Sequence, residues 1–325
     1  MIQREGRFRD VLIVAGTVIL MLGAFMAIAA RPGTAQTATA YRAPRLPGTT
    51  QPDLNGIWQA LTTAHDDLEE HEAQPRVRHA GARPGQPAVP AASVLALGTL
   101  GVVAGGMSVV DGGTIPYQRW AAAKRKDNFE NSLARDPEVK CFLPGVPRAM
   151  YLPHPFQIVH TPNTILMAFE YADAVRRIHM NTMGPSPVDT WMGQSTGRWD
   201  GGTLTIDTTG FNGQAWFDHA GNFASEALHV VERLTRTDAD HLMYEATLDD
   251  PNVFTRPWTI RMPLYRRVEA RAQLVEYNCV PFVEELMYGH LRREQLVRHW
   301  EADYGPTGGT LSVEITRRPS EIRER

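Results

Sequence analysis

Between Gly213 and Gly221 the chain sets Trp216, Phe217, Asp218 and His219 side by side. A carboxylate next to an imidazole is the raw material of a proton-transfer pair, and two aromatic rings beside it can stack on a flat molecule. Neighbouring side chains on a strand point to opposite faces, but on a loop bounded by glycines Asp218 and His219 can converge. Loops at barrel mouths are where sites are commonly built. The plainer alternative is a turn that Asp218 caps near Gly221.

Two further stretches carry ionisable groups in strand-like alternation. In "SEALHVVERL", Glu226, Leu228, Val230, Glu232 and Leu234 share one face, and Ala227, His229, Val231 and Arg233 the other. If the first face is inside, desolvation raises Glu232 toward the range of a general acid; if the second is inside, His229 and Arg233 line the pocket. A buried Glu–Arg tie between strands would explain the same residues without chemistry. In "FEYADAVRRIHMN", Val175, Arg177 and His179 share a face, and Glu170 is out of phase with Phe169 and Tyr171. A guanidinium, an imidazole and a carboxylate entering one lumen would bind a carboxylated or phenolic molecule, whereas Arg176 and Arg177 pairing with Glu170 at the surface would be structural. Tyr171 and Trp191 join Trp216 and Phe217 as candidate substrate-binding rings.

Other chemistries lack their signatures. His219, His229 and Glu226 would make a two-histidine, one-carboxylate trio, but neither His-Glu-x-x-His nor paired cysteine spacing occurs, so the expectation is no metal. There is no Gly-x-Gly-x-x-Gly and no phosphate loop, and "MGQSTG" around Ser195 matches Gly-x-Ser-x-Gly but lacks the strand–elbow–helix setting a serine nucleophile needs, so no nucleotide cofactor and no hydrolase serine is expected.

These residues need elements to hold them. From Pro155 onward strand-like runs recur ("FQIVHT", "TILMAFEYA", "VRRIHMN", "TLTIDTTGF", "LHVVERLTR", "HLMYEATLDD", "WTIRMPLYRR", "AQLVEYNC"), separated by turn signals such as Pro162-Asn163 and Gly201-Gly202. Short strands at this spacing predict a mainly β fold, an antiparallel barrel or else a sandwich. "YQRWAAAKRKDNFENSLAR", Tyr117–Arg135, has helical propensity and stops before Pro137. Val283 to His299 also has the makings of a helix.

The 325 residues are 43 % hydrophobic and 21 % charged, with a formal charge of −3. Residues 1–35 hold four Arg against Glu5 and Asp10, so the remainder is more acidic still and offers no basic face for nucleic acid. Arg4, Arg7 and Arg9 precede an uncharged run, Val11 to Ala30, with small residues at Ala27 and Ala29 or Gly33 and Ala35. This is the pattern of a signal peptide or a membrane anchor over residues 1–35, and both place the body outside the cytoplasm, periplasmic or secreted. Residues 36–52 read as a linker, and 53–325 as one domain whose 53–150 portion wraps the barrel. Ala91 to Val110 is uncharged but glycine-broken, and reads as a packed segment rather than a span. Contact with the membrane is expected through the N-terminal segment alone. Cys141 and Cys279 can form a disulfide in such a compartment, or stay apart as buried thiols.

"DLNGIW" at 53–58 is similar to the Gly-x-Trp start of the lipocalin-like (calycin) barrels, in which Trp plugs one end. "DPEVKCFLPGVPR", "WMGQSTGRWDGGTLTIDTTGF", "WFDHAGNFASEALHVVER" and "DDPNVFTRPW" together resemble a family of secreted bacterial proteins usually left as hypothetical, over roughly residues 52–290. The chain departs from that pattern at Asp200–Thr203, where Trp-Glu-Gly-Asp-Thr is common, and at Ala224, where a His often stands. The calycin likeness implies a lumen holding a small apolar molecule, and the arrangement resembles that of cofactor-free decarboxylases of phenolic acids and of carotenoid hydratases. The expected function is therefore a cofactor-independent acid–base lyase or isomerase acting on a small, flat, partly apolar or aromatic molecule in the lumen. The catalytic candidates are His219, His229, Glu232, Asp218 and Glu170, and the substrate-binding candidates are Arg177, His179, Trp191, Trp216, Phe217 and Tyr171. The alternative is a binding protein of the same shape without catalysis.

Overall fold

The computed structural model describes residues 41–75, 78–79, 89–90, 102–181 and 183–281. The leader at 1–35, most of the 91–110 segment and the helix expected at 283–299 lie outside the described residues.

Nine strands close into a barrel. They are β1 (Gly56–Ala60), β2 (Phe156–Thr161), β3 (Thr164–Phe169), β4 (Val175–His179), β5 (Gln194–Asp200), β6 (Thr203–Thr209), β7 (His229–Arg236), β8 (His241–Asp249) and β9 (Trp258–Arg266). Each strand from β2 to β9 pairs with its neighbours in sequence, and β1 closes the ring between β9 and β2. A closed ring with an odd number of strands cannot be antiparallel at every joint. The exception is β4 against β5, which run parallel with Ile178 opposite Ser195 and His179 opposite Thr196. Residues 180–193 carry the chain back from one end of the barrel to the other to allow it.

Alternation holds as the sequence predicts. β7 and β8 bury every second residue: Val230, Glu232, Leu234 and Arg236 on one, Leu242, Tyr244, Ala246 and Leu248 on the other. "AQLVEYNC" is not a strand: a closed barrel has no free edge to accept it, and it runs over the surface instead. The helix expected over Tyr117–Arg135 forms as α1 (Arg119–Glu130) and a single turn, α2 (Ser132–Arg135), broken at Asn131. Among the described residues no helix is long and apolar enough to cross a membrane.

The inside is filled. Leu204, Ile206, Val230, Leu234, Leu242, Ala246 and Ile260 expose none of their surface, and Phe156, Ile158, Ile165 and Met167 at most 1 %. A cavity large enough for water would register as exposed wall on these side chains, so there is no room here for the ligand expected in the lumen. Trp58 plugs one end, its indole N–H donating to the Leu54 carbonyl at 3.1 Å and the Arg236 guanidinium 5.9 Å above its ring. At the other end Phe217, Phe254 and Trp258 interlock, with ring centroids 5.3–6.5 Å apart.

Across the middle of this core runs one ionic layer. Arg176 on β4 meets Glu232 on β7 through two hydrogen bonds, its Nη1 donating to Oε1 at 3.0 Å and its Nη2 donating to Oε2. Arg176 Nε donates to Ser195 Oγ at 2.9 Å, its Nη2 to Thr208 Oγ1 at 2.8 Å, and the Tyr244 hydroxyl donates to Glu232 Oε1 at 2.9 Å. Five consecutive strands, β4 to β8, are stitched by this layer, including the parallel joint.

Cys141 and Cys279 form a disulfide with Cα atoms 5.7 Å apart, closing a loop of 138 residues. A bridge of this kind belongs to an oxidising, non-cytosolic compartment. Thiol labelling of the denatured, unreduced protein is expected to find no free thiol. Reduction is expected to cost about 2–5 kcal/mol of stability. An unchanged melting temperature after complete reduction would contradict it.

Candidate functional site

At the Phe217 end of the barrel three distant segments meet: 61–68 after β1, 136–150 before β2, and 210–228 between β6 and β7. The last is the loop flagged by its composition. Gly213 and Gly221 hold φ of +66° and +84°, and a Cβ at Gly221 would lie 2.8 Å from the Asn128 side chain and the Phe129 amide of α1. Only glycine lets the loop run that close to the helix.

Asp218 is the loop's anchor. Its Oδ2 accepts from the Leu68 amide at 2.9 Å and from Asn222 Nδ2 at 2.6 Å, and its Oδ1 accepts from the Asn222 amide at 3.2 Å. It is wholly buried, and burial together with the charge of Asp67 pushes its carboxyl up to about 7. Asp218 caps its own turn and ties it to the 61–68 segment, so the pairing of Asp218 with His219 toward one target does not occur. The His219 amide then donates to the His65 carbonyl at 3.1 Å, which fixes the two histidines against each other.

The 136–150 segment supplies charge. The Glu138 amide donates to Asp136 Oδ1 at 3.0 Å, a tight turn that aims both carboxylates the same way. Buried Arg148 spans them, donating to Asp136 Oδ1 at 2.9 Å, Asp136 Oδ2 at 3.1 Å and Glu138 Oε2 at 2.6 Å. Behind this turn the Tyr171 hydroxyl donates to the Glu138 and Phe142 carbonyls at 3.1 and 3.3 Å, and Cys141 is bridged to Cys279.

His219 reaches into this frame. A carboxylate can only accept, so His219 Nδ1 carries its proton toward Asp136 Oδ2, 2.6 Å away. The far nitrogen, Nε2, lies 3.0 Å from His65 Nε2 and 3.2 Å from Glu138 Oε2. Burial alone would lower the His219 pKa, but the charge of Glu138 and the bond to Asp136 outweigh it and raise it above the ordinary value. Burial would likewise raise Asp136, but the Arg148 guanidinium and the His219 bond hold its carboxyl well below the usual range. The His219 side chain stays 28 % exposed, so this charged cluster meets solvent at one edge. An imidazole oriented by a carboxylate, with a second imidazole at its free nitrogen, can accept a proton and pass it on.

The chain matches no protein-family model, no curated protein and no solved structure.

The other expected residues lie elsewhere. Glu232 is inside the barrel, saturated by Arg176 and Tyr244, and reaches no mouth. His229 points outward and pairs with Asp207 at 3.1 Å, with both side chains over 40 % exposed. Arg177 is exposed and His179 half-buried on the outer face of β4; the inward residue is Arg176, one position earlier. Trp216 and Phe217 belong to the core rather than to a surface that stacks on a flat molecule, and Phe217 donates its amide to the Asn222 carbonyl while its own carbonyl accepts from the Tyr151 hydroxyl. Glu170 accepts from the Val275 amide at 3.0 Å and lies 3.4 Å from His154 Nδ1, holding the 267–281 segment on the barrel. Tyr171 is buried behind the Glu138 turn. Trp191 is half-buried and stacks on exposed Phe142, their centroids 5.1 Å apart.

His65, Asp136, Glu138 and Arg148 did not stand out in the sequence. "DPEVKCFLPGVPR" carried the one available signal, four charges of both signs packed about a cysteine and three prolines.

Proposed function

We propose that the chain is an extracytoplasmic, cofactor-independent acid–base enzyme, a lyase or isomerase acting on a small, flat, partly apolar molecule at the mouth of the barrel. The observation that carries this reading is the Asp136–His219–His65 line, with spacings of 2.6 and 3.0 Å and one edge open to solvent. In it His219 Nε2 takes a proton from an acidic carbon of the substrate, and Asp136 stabilises the imidazolium that forms. His219 or His65 returns a proton at a second position, which completes an isomerisation or accompanies bond cleavage. Trp191 on Phe142, beside the turn that carries Glu138, offers the aromatic surface for a flat ring. The packed interior removes the main support for a carrier that binds in its lumen.

The test is proton exchange. A panel of phenolic acids and conjugated carboxylic acids, incubated in D2O with the disulfide-bonded protein, is followed by NMR for deuterium uptake, isomerisation or loss of CO2. Turnover of a panel member that vanishes in His219→Ala supports the reading. Turnover that persists undiminished in that variant would end it.

The location rests on the basic residues and uncharged run at the N-terminus together with the disulfide. Residues 1–60 fused to alkaline phosphatase are expected to give an active fusion, since that enzyme needs an oxidising compartment for its own disulfides. An inactive cytoplasmic fusion would contradict it.

A further inference from the structure

His65 and His219 face each other nitrogen to nitrogen. Their Nε2 atoms are 3.0 Å apart, with ring centroids at 4.3 Å and planes inclined at 70°. Two lone pairs repel at that distance, so either one nitrogen keeps its proton and donates it to the other, or a metal ion is held by both.

Three features favour a metal-binding arrangement. His219 has its Nδ1 proton committed to Asp136, so its Nε2 carries the lone pair; a carboxylate behind the imidazole is the usual support of a metal-ligating histidine. The spacing also fits: an ion about 2.1 Å from each nitrogen would see them at an angle of about 90°. Finally, oxygen donors surround the pair. Glu138 Oε2 lies 3.2 Å from His219 Nε2, and a carboxylate oxygen of Asp66 lies within 4.8 Å of a ring nitrogen of each histidine. Two imidazoles with carboxylates suit divalent first-row transition ions and not calcium or magnesium, which take oxygen ligands. His65 is buried, whereas His219 is partly exposed to solvent, which leaves the pair within reach of an ion from outside.

We infer that a divalent transition-metal ion binds between His65 and His219, with Asp66 or Glu138 completing its ligands. This goes beyond the acid–base reading. An ion held by both Nε2 atoms displaces the proton they share, so a metal-loaded molecule has no free base at His219.

The probe is cobalt(II), titrated into the disulfide-bonded protein after treatment with a chelator and its removal. Binding is read from the visible ligand-field bands and, separately, by calorimetry. One ion per chain with nitrogen-ligated bands is expected, weakened by about a hundredfold or more in His65→Ala and in His219→Ala. His229→Ala, altered on the outer wall, should bind as the wild type does. Absence of binding in the wild type overturns the inference without reference to any variant. So does equal binding in His65→Ala and His219→Ala once their folds are verified by melting. Turnover separates the two readings: binding with full activity of the metal-free protein leaves both standing, and binding with activity only when metal is present removes the cofactor-free reading alone. Full activity without any cobalt binding removes this inference alone.

Discussion

Glu232→Ala is expected to lower the unfolding free energy by about 3–5 kcal/mol, the largest stability loss of any single substitution proposed for this protein. The substitution strands the Arg176 guanidinium in a core where it is 2 % exposed, with Ser195 and Thr208 as its remaining partners. Hydroxyls solvate a guanidinium but do not neutralise it, and water has no way in. The Tyr244 hydroxyl loses its acceptor as well. Arg176→Met alone should cost a similar amount by stranding Glu232. The double replacement Arg176→Met with Glu232→Leu should recover much of the loss, because a missing pair is tolerated better than half of one. Chemical denaturation of the four proteins checks this. If Glu232→Ala unfolds at the wild-type denaturant concentration, or if the double variant is as unstable as the two losses added, the layer is not the tie described. Folded Glu232→Gln should keep its turnover, since no substrate reaches a residue with no exposed surface.

His219→Ala is expected to do the reverse. Turnover of the molecule found by deuterium exchange should fall by about 10²–10⁴, the usual contribution of a positioned general base. Stability should fall by only about 1–3 kcal/mol, because Asp136 keeps its two bonds to Arg148 and one to the Glu138 amide. His229→Ala is the control: it removes an exposed pair with Asp207 and should change stability by no more than about 1 kcal/mol and turnover not at all. Equal turnover in the two variants would return His219 to a purely architectural role.

Much of the scaffold was legible in the residues. Alternation in "FQIVHT", "LHVVERLTR" and "HLMYEATLDD" placed three strands to within a residue of where they stand, because a half-buried strand must repeat with period two. Trp58, two places after Gly56, was readable as the plug. The 213–221 loop stood out because it broke the alternation between glycines. Phase was another matter. Val175-Arg176-Arg177 offers two arginines on opposite faces, and period two does not say which face is inside. That choice was made across the barrel, where Glu232 and two hydroxyls could satisfy only the inward one.

The sequence by itself therefore determined the strands, the helix, the residues available for a disulfide and the loop that carries His219. Tertiary structure alone decided which side of each strand is core, that the core is full, and that the ring closes with one parallel joint. It also decided the site. His65 and His219 are 154 positions apart, and His219 and Asp136 83 apart. Local pattern reports only on neighbours within a few residues, whereas these groups meet because barrel closure brings the end of β1, the approach to β2 and the β6–β7 loop to one rim. There the Asp218 bonds to Leu68 and Asn222 and the Arg148 bonds to both carboxylates lock them in place.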